Sequence, residues 1–250
     1  MASVIHKARG QGVRRRVKAA LTVATIAAGA LVVGAPAALA ASVQPPVGLG
    51  TATPFAVLAG ATVTNTGPSV ITGDLGVAPG TAITGFPPGQ VIGAVHAADA
   101  VALQAKDDLT TAYNDAAGRI PADAVTSDLG NQILAPGVYR AESAMGLTGT
   151  VTLDGQGNPN AVFIFQAGST LITASNSTVA LINGAQPCNV FWQVGSSATL
   201  GTDTTFVGTV MALTSATVQT RTTVAGRVLA RNGEVTLDNN RITRPTRSTP

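Results

Sequence analysis

Val179-Ala180-Leu181, Ala198-Thr199-Leu200, Ala216-Thr217-Val218 and Val235-Thr236-Leu237 share an apolar–small–apolar pattern, and their central residues lie 19, 18 and 19 positions apart. Val151-Thr152-Leu153 reads as an earlier copy. Strand-forming sequence that returns at a fixed period near 18–19 residues points to a stack of coils, each coil one structural repeat. Three strands of about five residues, with corners between them, fill such a coil. A β-sandwich also spaces its strands at roughly 8–12 residues, but nothing in that fold repeats one triplet at one period. The expected architecture is therefore mainly β: a three-sided β-solenoid.

Working outward, residues 41–47 form a short Pro-containing lead, and residues 48–96 alternate Val/Ile/Thr runs with Gly and Pro turns, as in Val70-Ile71-Thr72-Gly73 and Ala82-Ile83-Thr84-Gly85. Residues 97–117 break the style. Ala98, Ala102, Ala105, Leu109, Ala112, Tyr113 and Ala116 recur at steps of three or four, with Lys106, Asp107, Asp108 and Asp115 between them, and Gly118 follows. That spacing predicts a single amphipathic helix. Its Ala-lined face suits close approach to a flat partner such as the side of a sheet.

Residues 1–40 read as a secretory signal peptide. Arg14, Arg15, Arg16 and Lys18 make a basic start, Ala19 to Gly34 is apolar, and Ala38-Leu39-Ala40 supplies a small-x-small cleavage pattern. The apolar run falls short of the ~20 residues that a bilayer span needs. The pair of arginines hints at twin-arginine export, which Val17-Lys18 extends poorly, so the route stays open. The expected division is 1–40 leader, 41–243 solenoid domain and 244–250 short basic tail, with a secreted, extracellular product. That tail carries no hydrophobic anchor.

Six of the 15 Lys and Arg fall within residues 1–40 and all 12 acidic residues come later, so the remainder carries a net charge of −3. Nucleic-acid or anionic-membrane binding needs clustered cations, and beyond the leader Lys106 is the sole lysine. Thirty-one threonines and few aromatics there favour strands. The single cysteine, Cys188, excludes an internal disulfide and is expected to behave as a small buried hydrophobe.

Catalysis is poorly provided for. His96 is the one histidine after the leader, and no nucleophile motif accompanies it; it is expected at the helix entry. No His, Cys or carboxylate groups cluster at ligand spacing, so no metal or cofactor is expected. Asp74, Asp154, Asp203 and Asp238 sit beside Gly, Thr or Asn, as turn residues do. A carbohydrate lyase on a parallel β-helix could use such Asp with Arg, but no local constellation supports one.

Leu49-Gly50-Thr51-Ala52, Phe55-Ala56-Val57-Leu58-Ala59, Ile71-Thr72-Gly73-Asp74-Leu75-Gly76-Val77, Pro136-Gly137-Val138-Tyr139, Phe163-Ile164-Phe165-Gln166 and Asn189-Val190-Phe191-Trp192-Gln193-Val194-Gly195 resemble the microbial ice-binding protein family. Gly226-Arg227-Val228-Leu229-Ala230 and Val235-Thr236-Leu237-Asp238 extend the likeness over residues 48–242. The resemblance implies a discontinuous β-solenoid with one long helix packed alongside, and a non-enzymatic protein that adsorbs to ice as its partner.

Ice-active relatives often carry Thr-Ala/Gly-x-Thr/Asn on the binding face. Thr81-Ala82-Ile83-Thr84 and Thr173-Ala174-Ser175-Asn176 fit, and Thr214-Ser215-Ala216-Thr217 comes close. Thr111-Ala112-Tyr113-Asn114 also fits but falls in the predicted helix. Taken with the repeated triplets, the candidate face is Thr62, Thr64, Thr81, Thr84, Thr173, Asn176, Ser197, Thr199, Thr214 and Thr217. Arg221, Arg231 and Glu234 would disrupt it if they project there, because charged groups hold their own hydration. An extracellular structural or adhesive solenoid without ice activity is the alternative, and a monomer is expected in either case.

Overall fold

The computed structural model describes residues 44–120 and 122–246. The leader assigned to residues 1–40, and the end of the 244–250 tail, lie outside the described residues. Every described strand pair is parallel and joins one coil to the next. Backbone donors and acceptors are thereby satisfied between coils rather than within them.

Two sheets make three sides. The seven-stranded sheet runs Met145–Leu147, Leu171–Thr173, Ala198–Leu200, Ala216–Val218, Val235–Asp238, Thr62–Thr66, Ala82–Thr84. The fifteen-stranded sheet wraps the other two sides, because Thr205–Ala212 and Thr223–Ala230 each continue round a corner. Gly208 turns that corner at φ 111°, a conformation open to glycine. Its neighbour Gly226 packs so closely that a Cβ there would strike the Gly208 carbonyl.

Coil order does not follow chain order. Phe55–Ala59 pairs with Asp74–Val77 on one side and with Thr223–Ala230 on the other. The first coil therefore stacks on the last. The second coil, with Ala82–Thr84, Gln90–Ile92 and Val95–Ala97, forms one end of the stack. A single helix, α1 (Ala100–Gly118), then carries the chain to Asp123–Ala124 at the opposite end, and the remaining coils wind back. This is the discontinuous solenoid with one helix that the resemblance implies.

The repeat needs correction. Val151-Thr152-Leu153 and Val179-Ala180-Leu181 pair with each other in the fifteen-stranded sheet. The partner of Ala198–Leu200 is Leu171–Thr173 instead, and that strand pairs in turn with Met145–Leu147. Alternating apolar residues mark strands on two different sides, so a spacing of 19 between Ala180 and Thr199 joined unlike positions. The later copies at 199, 217 and 236 do stack directly.

The helix begins later than the expected residue 97, because Val95–Ala97 is a strand. Asp99 caps it by accepting from the Ala102 amide at 2.8 Å. Ala102, Ala105, Leu109, Ala112 and Ala116 bury its small-residue face, and Leu109 packs in a cluster with Leu58, Ile164, Phe191, Met211 and Leu229. Polar staples fix it lengthwise. Lys106 Nζ donates to the Ala230 and Arg231 carbonyls, Gln193 Nε2 donates to the Tyr113 hydroxyl at 2.8 Å, and Gln166 Nε2 donates to the Ala116 carbonyl at 2.8 Å. Inside the coils, Phe165 and Trp192 stack at 4.0 Å between ring centroids, extending to Tyr139 and Phe206 on either side.

Candidate functional site

Helix α1 covers one side of the solenoid and leaves two open. On the seven-stranded side the strands are short, and in Ala198–Leu200, Ala216–Val218 and residues 235–237 the middle residue points outward between two buried neighbours, whereas in Ala82–Thr84 the end residues Ala82 and Thr84 are the exposed ones. Register turns those middle residues into a line. Thr199 lies opposite Thr217, Thr217 opposite Thr236, Thr236 opposite Thr64, and Thr64 opposite Thr84. Ile172 and Gly146 continue the line at the far end. A second line runs two residues earlier in each strand, through Ser197, Ser215, Glu234, Thr62 and Ala82, with Thr62 registered on Ala82. Neighbouring strands lie ~4.8 Å apart and same-face residues on a strand ~6.5–7 Å apart. Small hydroxyl and methyl groups therefore form a two-dimensional lattice.

The candidates divide accordingly. Thr62, Thr64, Thr84, Ser197, Thr199 and Thr217 share this face. Thr81 and Thr214 are exposed on the corner that precedes it. Asn176 lies on the corner that follows, with φ at 59°. Thr173 is a correction: it is only 3 % exposed, and its Oγ1 accepts from the Gly201 amide at 2.8 Å and contacts Thr204 Oγ1. Thr173 closes the strand Leu171–Thr173 two residues after buried Leu171 and in register with buried Leu147, so strand alternation points it into the core.

Thr236, in the middle of the line, was absent from the candidates although its triplet belongs to the repeat. A further open side carries threonines of its own. There Thr150, Thr178, Thr205 and Thr223 line up strand by strand, and Arg241, Val70 and Gln90 continue the line. Alternation inside Thr178–Ile182 and Thr205–Val207 carried the signal, but short strands do not reveal which coil side they occupy.

The corner between the two open sides is built from one local recipe. Asn176, Asp203, Arg221 and Asn239 all have positive φ, and each amide donates to a carbonyl of the next coil. The next residue in each case, Ser177, Thr204, Thr222 and Asn240, is buried with its polar group turned inward. Ser177 Oγ donates to the Leu147 carbonyl, Thr222 Oγ1 to the Gly201 carbonyl, and Asn240 Nδ2 to the Gln219 carbonyl. These bonds tie each corner to a carbonyl of the coil before it.

The three suspect charges separate. Arg231 lies over the Tyr113 ring at 4.7 Å, on the helix side, away from the threonine line. Arg221 stays on the corner, donating to Asp203 Oδ2 at 2.6 Å, and its guanidinium holds that carboxyl below the usual range. Glu234 does project beside the line, exposed between Ser215 and Thr62.

The groups considered for catalysis are spoken for. His96 Nδ1 meets Asp99 Oδ2 at 2.7 Å, and its ring lies 5.5 Å from that of Phe55, at the helix entry. Asp74 accepts from the Ala94 amide and Asp154 from the Gln156 amide, as turn carboxylates do. Cys188 is half-buried in a short 3-10 turn rather than sunk in the core. Among the described residues no three His, Cys, Asp or Glu groups are placed to hold a metal ion, and no helix is long and apolar enough to cross a membrane.

The ice-binding-like family model matches residues 57–243, nearly all of the solenoid. The chain belongs to that family. A family member from Nostoc sp. (strain HG1), an ice-binding protein, is 54 % identical over 196 residues, which is 78 % of this chain and 72 % of the relative. Among solved members, an ice-binding protein from an Antarctic biological consortium superposes with a TM-score of 0.82 at 49 % identity, over 83 % of this chain and 95 % of that one. The ice-binding protein of the Antarctic ascomycete Antarctomyces psychrotrophicus gives 0.78 at 43 % identity, over 80 % and 99 %. These relatives are ice-binding proteins.

Proposed function

We propose that this chain is an exported, non-enzymatic protein that adsorbs to ice through the seven-stranded face. The observation that carries the reading is the unbroken register of Thr199, Thr217, Thr236, Thr64 and Thr84, one per strand. A threonine methyl orders adjacent water without binding it tightly, and the hydroxyl anchors the ordered layer. Repeating that group on a rigid lattice lets the layer match a solid surface, so growth fronts stall where the protein sits. Family membership supports the ice partner, and the leader-like residues 1–40 support release outside the cell. One solenoid supplies a complete face, so the protein acts as a monomer.

The other open side supports a second reading, since Thr150, Thr178, Thr205 and Thr223 are also in register. Its second line of outward residues is interrupted, because Thr178–Ile182 meets Thr205–Ala212 at a single residue pair. We therefore favour the seven-stranded face.

An ice-recrystallisation assay with Thr217→Tyr and Thr205→Tyr tests the assignment. Loss of inhibition with Thr217→Tyr alone supports the seven-stranded face. Loss with Thr205→Tyr alone transfers the function to the other side. Unrestrained grain coarsening by the unaltered protein at micromolar dose leaves only the structural or adhesive solenoid.

A further inference from the structure

Away from both threonine sides, the helix-covered face carries a cavity of about 390 Å³ beside the N-terminal segment. Val47, Gly48, Thr53, Cys188, Phe191 and Arg227 line it. Arg227 is the unusual member, because it is 4 % exposed and forms no ion pair with a carboxylate among the described residues. Its Nε and Nη2 both donate to the Thr53 carbonyl, at 3.2 and 2.9 Å. Nη1 makes one long bond of 3.4 Å to Thr209 Oγ1. Three of the five guanidinium N–H groups are thus committed, and the Nη1/Nη2 edge has donors to spare.

The electrostatics favour an anion. Burial pushes the Arg227 guanidinium down to about 10, and the like charge of Arg244 acts in the same direction. The acidic group nearest this segment in the helix, Asp108, is already taken by the Thr51 amide and hydroxyl, both at 2.7 Å. A buried cation without a counter-charge is costly, and an incoming carboxylate that accepts two parallel N–H bonds offsets that cost. Val47 and Phe191 add apolar walls, which select an acid with a hydrocarbon body over a bare mineral anion.

We propose that this cavity binds a small organic carboxylate, its oxygens on the Arg227 guanidinium and its apolar part against Val47 and Phe191. The site is separate from the threonine faces and independent of ice adsorption.

Butyrate is the probe, with butyramide and sodium chloride at matched ionic strength as controls, followed by amide shifts in 1H–15N spectra of the full chain. Saturable shifts at Val47, Gly48 and Cys188 with butyrate alone are expected, at least tenfold weaker in Arg227→Lys. Gly48→Trp should block binding without touching the cation, since a side chain at Gly48 starts in open space. It also decides the matter if the arginine variant fails to fold. Thr217→Tyr should leave the shifts unchanged. Absent saturation with butyrate, equal shifts with chloride or butyramide, or binding that survives Gly48→Trp overturns the proposal.

Discussion

Thr64 and Thr236 stand opposite one another on adjacent parallel strands, although the helix and nearly all the other coils lie between them in sequence. This seam is where the first coil docks on the last, and it completes the threonine line. Val57 and Val228 pair across the same seam on the helix side, and the Asn240 amide donates to Ser69 Oγ at 2.9 Å on the third. All three sides of the solenoid therefore depend on a contact that forms only after the chain has wound back.

The seam is sensitive to volume. A Cβ on Gly60 would lie 2.5 Å from the Asn232 carbonyl oxygen and 2.7 Å from that of Arg231. Gly60→Ala is expected to cost about 1–3 kcal/mol, the usual range for overpacking. Gly48→Ala, with nothing within 4 Å, should stay within about 0.5 kcal/mol. Urea unfolding midpoints of the two variants check this; equal midpoints would show that the seam is loose.

The buried corner can be tested without changing shape. Thr222→Val keeps the volume but removes the Oγ1 bond to the Gly201 carbonyl, and should cost about 1 kcal/mol. Asn240→Leu loses its bonds to the Gln219 carbonyl and the Asp238 amide, and should cost more, about 1–3 kcal/mol. Chemical denaturation of both variants reads the order, and a reversed order contradicts the corner account.

Glu234 is an exposed carboxylate in the line beside the central threonines, between Ser215 and Thr62, and Asp238 flanks Thr236 on the other side with its carboxylate held by the Thr220 hydroxyl. The Glu234 backbone amide, not its side chain, accepts the local role of donating to Ser215 Oγ. Glu234→Thr should therefore leave the fold intact and lower the dose needed to stop recrystallisation by several-fold. Splat-cooled ice grains, measured over a dilution series, would reveal it; an unchanged end-point dose argues against this face.

Stability should depend on pH through Lys106. Burial, and then the charge of Arg231, pushes its ammonium down from 10.5 to about 7. Between those values the unfolded chain holds a proton that the folded chain has released, so stability rises as pH increases from about 7 towards 10. Comparison with Lys106→Met removes the groups common to both proteins. The urea midpoint of the unaltered chain should climb relative to the variant between pH 7 and pH 9.5, and parallel curves would contradict the reading.

Much of this molecule follows from local pattern. Alternating Val, Thr and Leu between Gly and Asn corners specifies short strands wherever it occurs, because the side-chain period of a strand is two. The Ala-rich three-four spacing of residues 102–116 specifies a helix in the same local way. Stacking was partly legible too: the 18- and 19-residue steps from Thr199 to Thr217 to Thr236 are true neighbours.

Which side of a coil each strand occupies was decided only in three dimensions. Val179-Ala180-Leu181 and Ala198-Thr199-Leu200 look alike in sequence, yet they belong to different sheets, because corner lengths vary from coil to coil. Thr173 and Thr199 are both strand threonines, but Ile172 is the residue registered on Thr199, so Thr173 falls on the inward position of its strand and Thr199 on the outward one. The seam between Thr64 and Thr236 has no local signature at all. Periodicity is a property of neighbouring residues, whereas a continuous face is made by strands that meet only when distant coils stack.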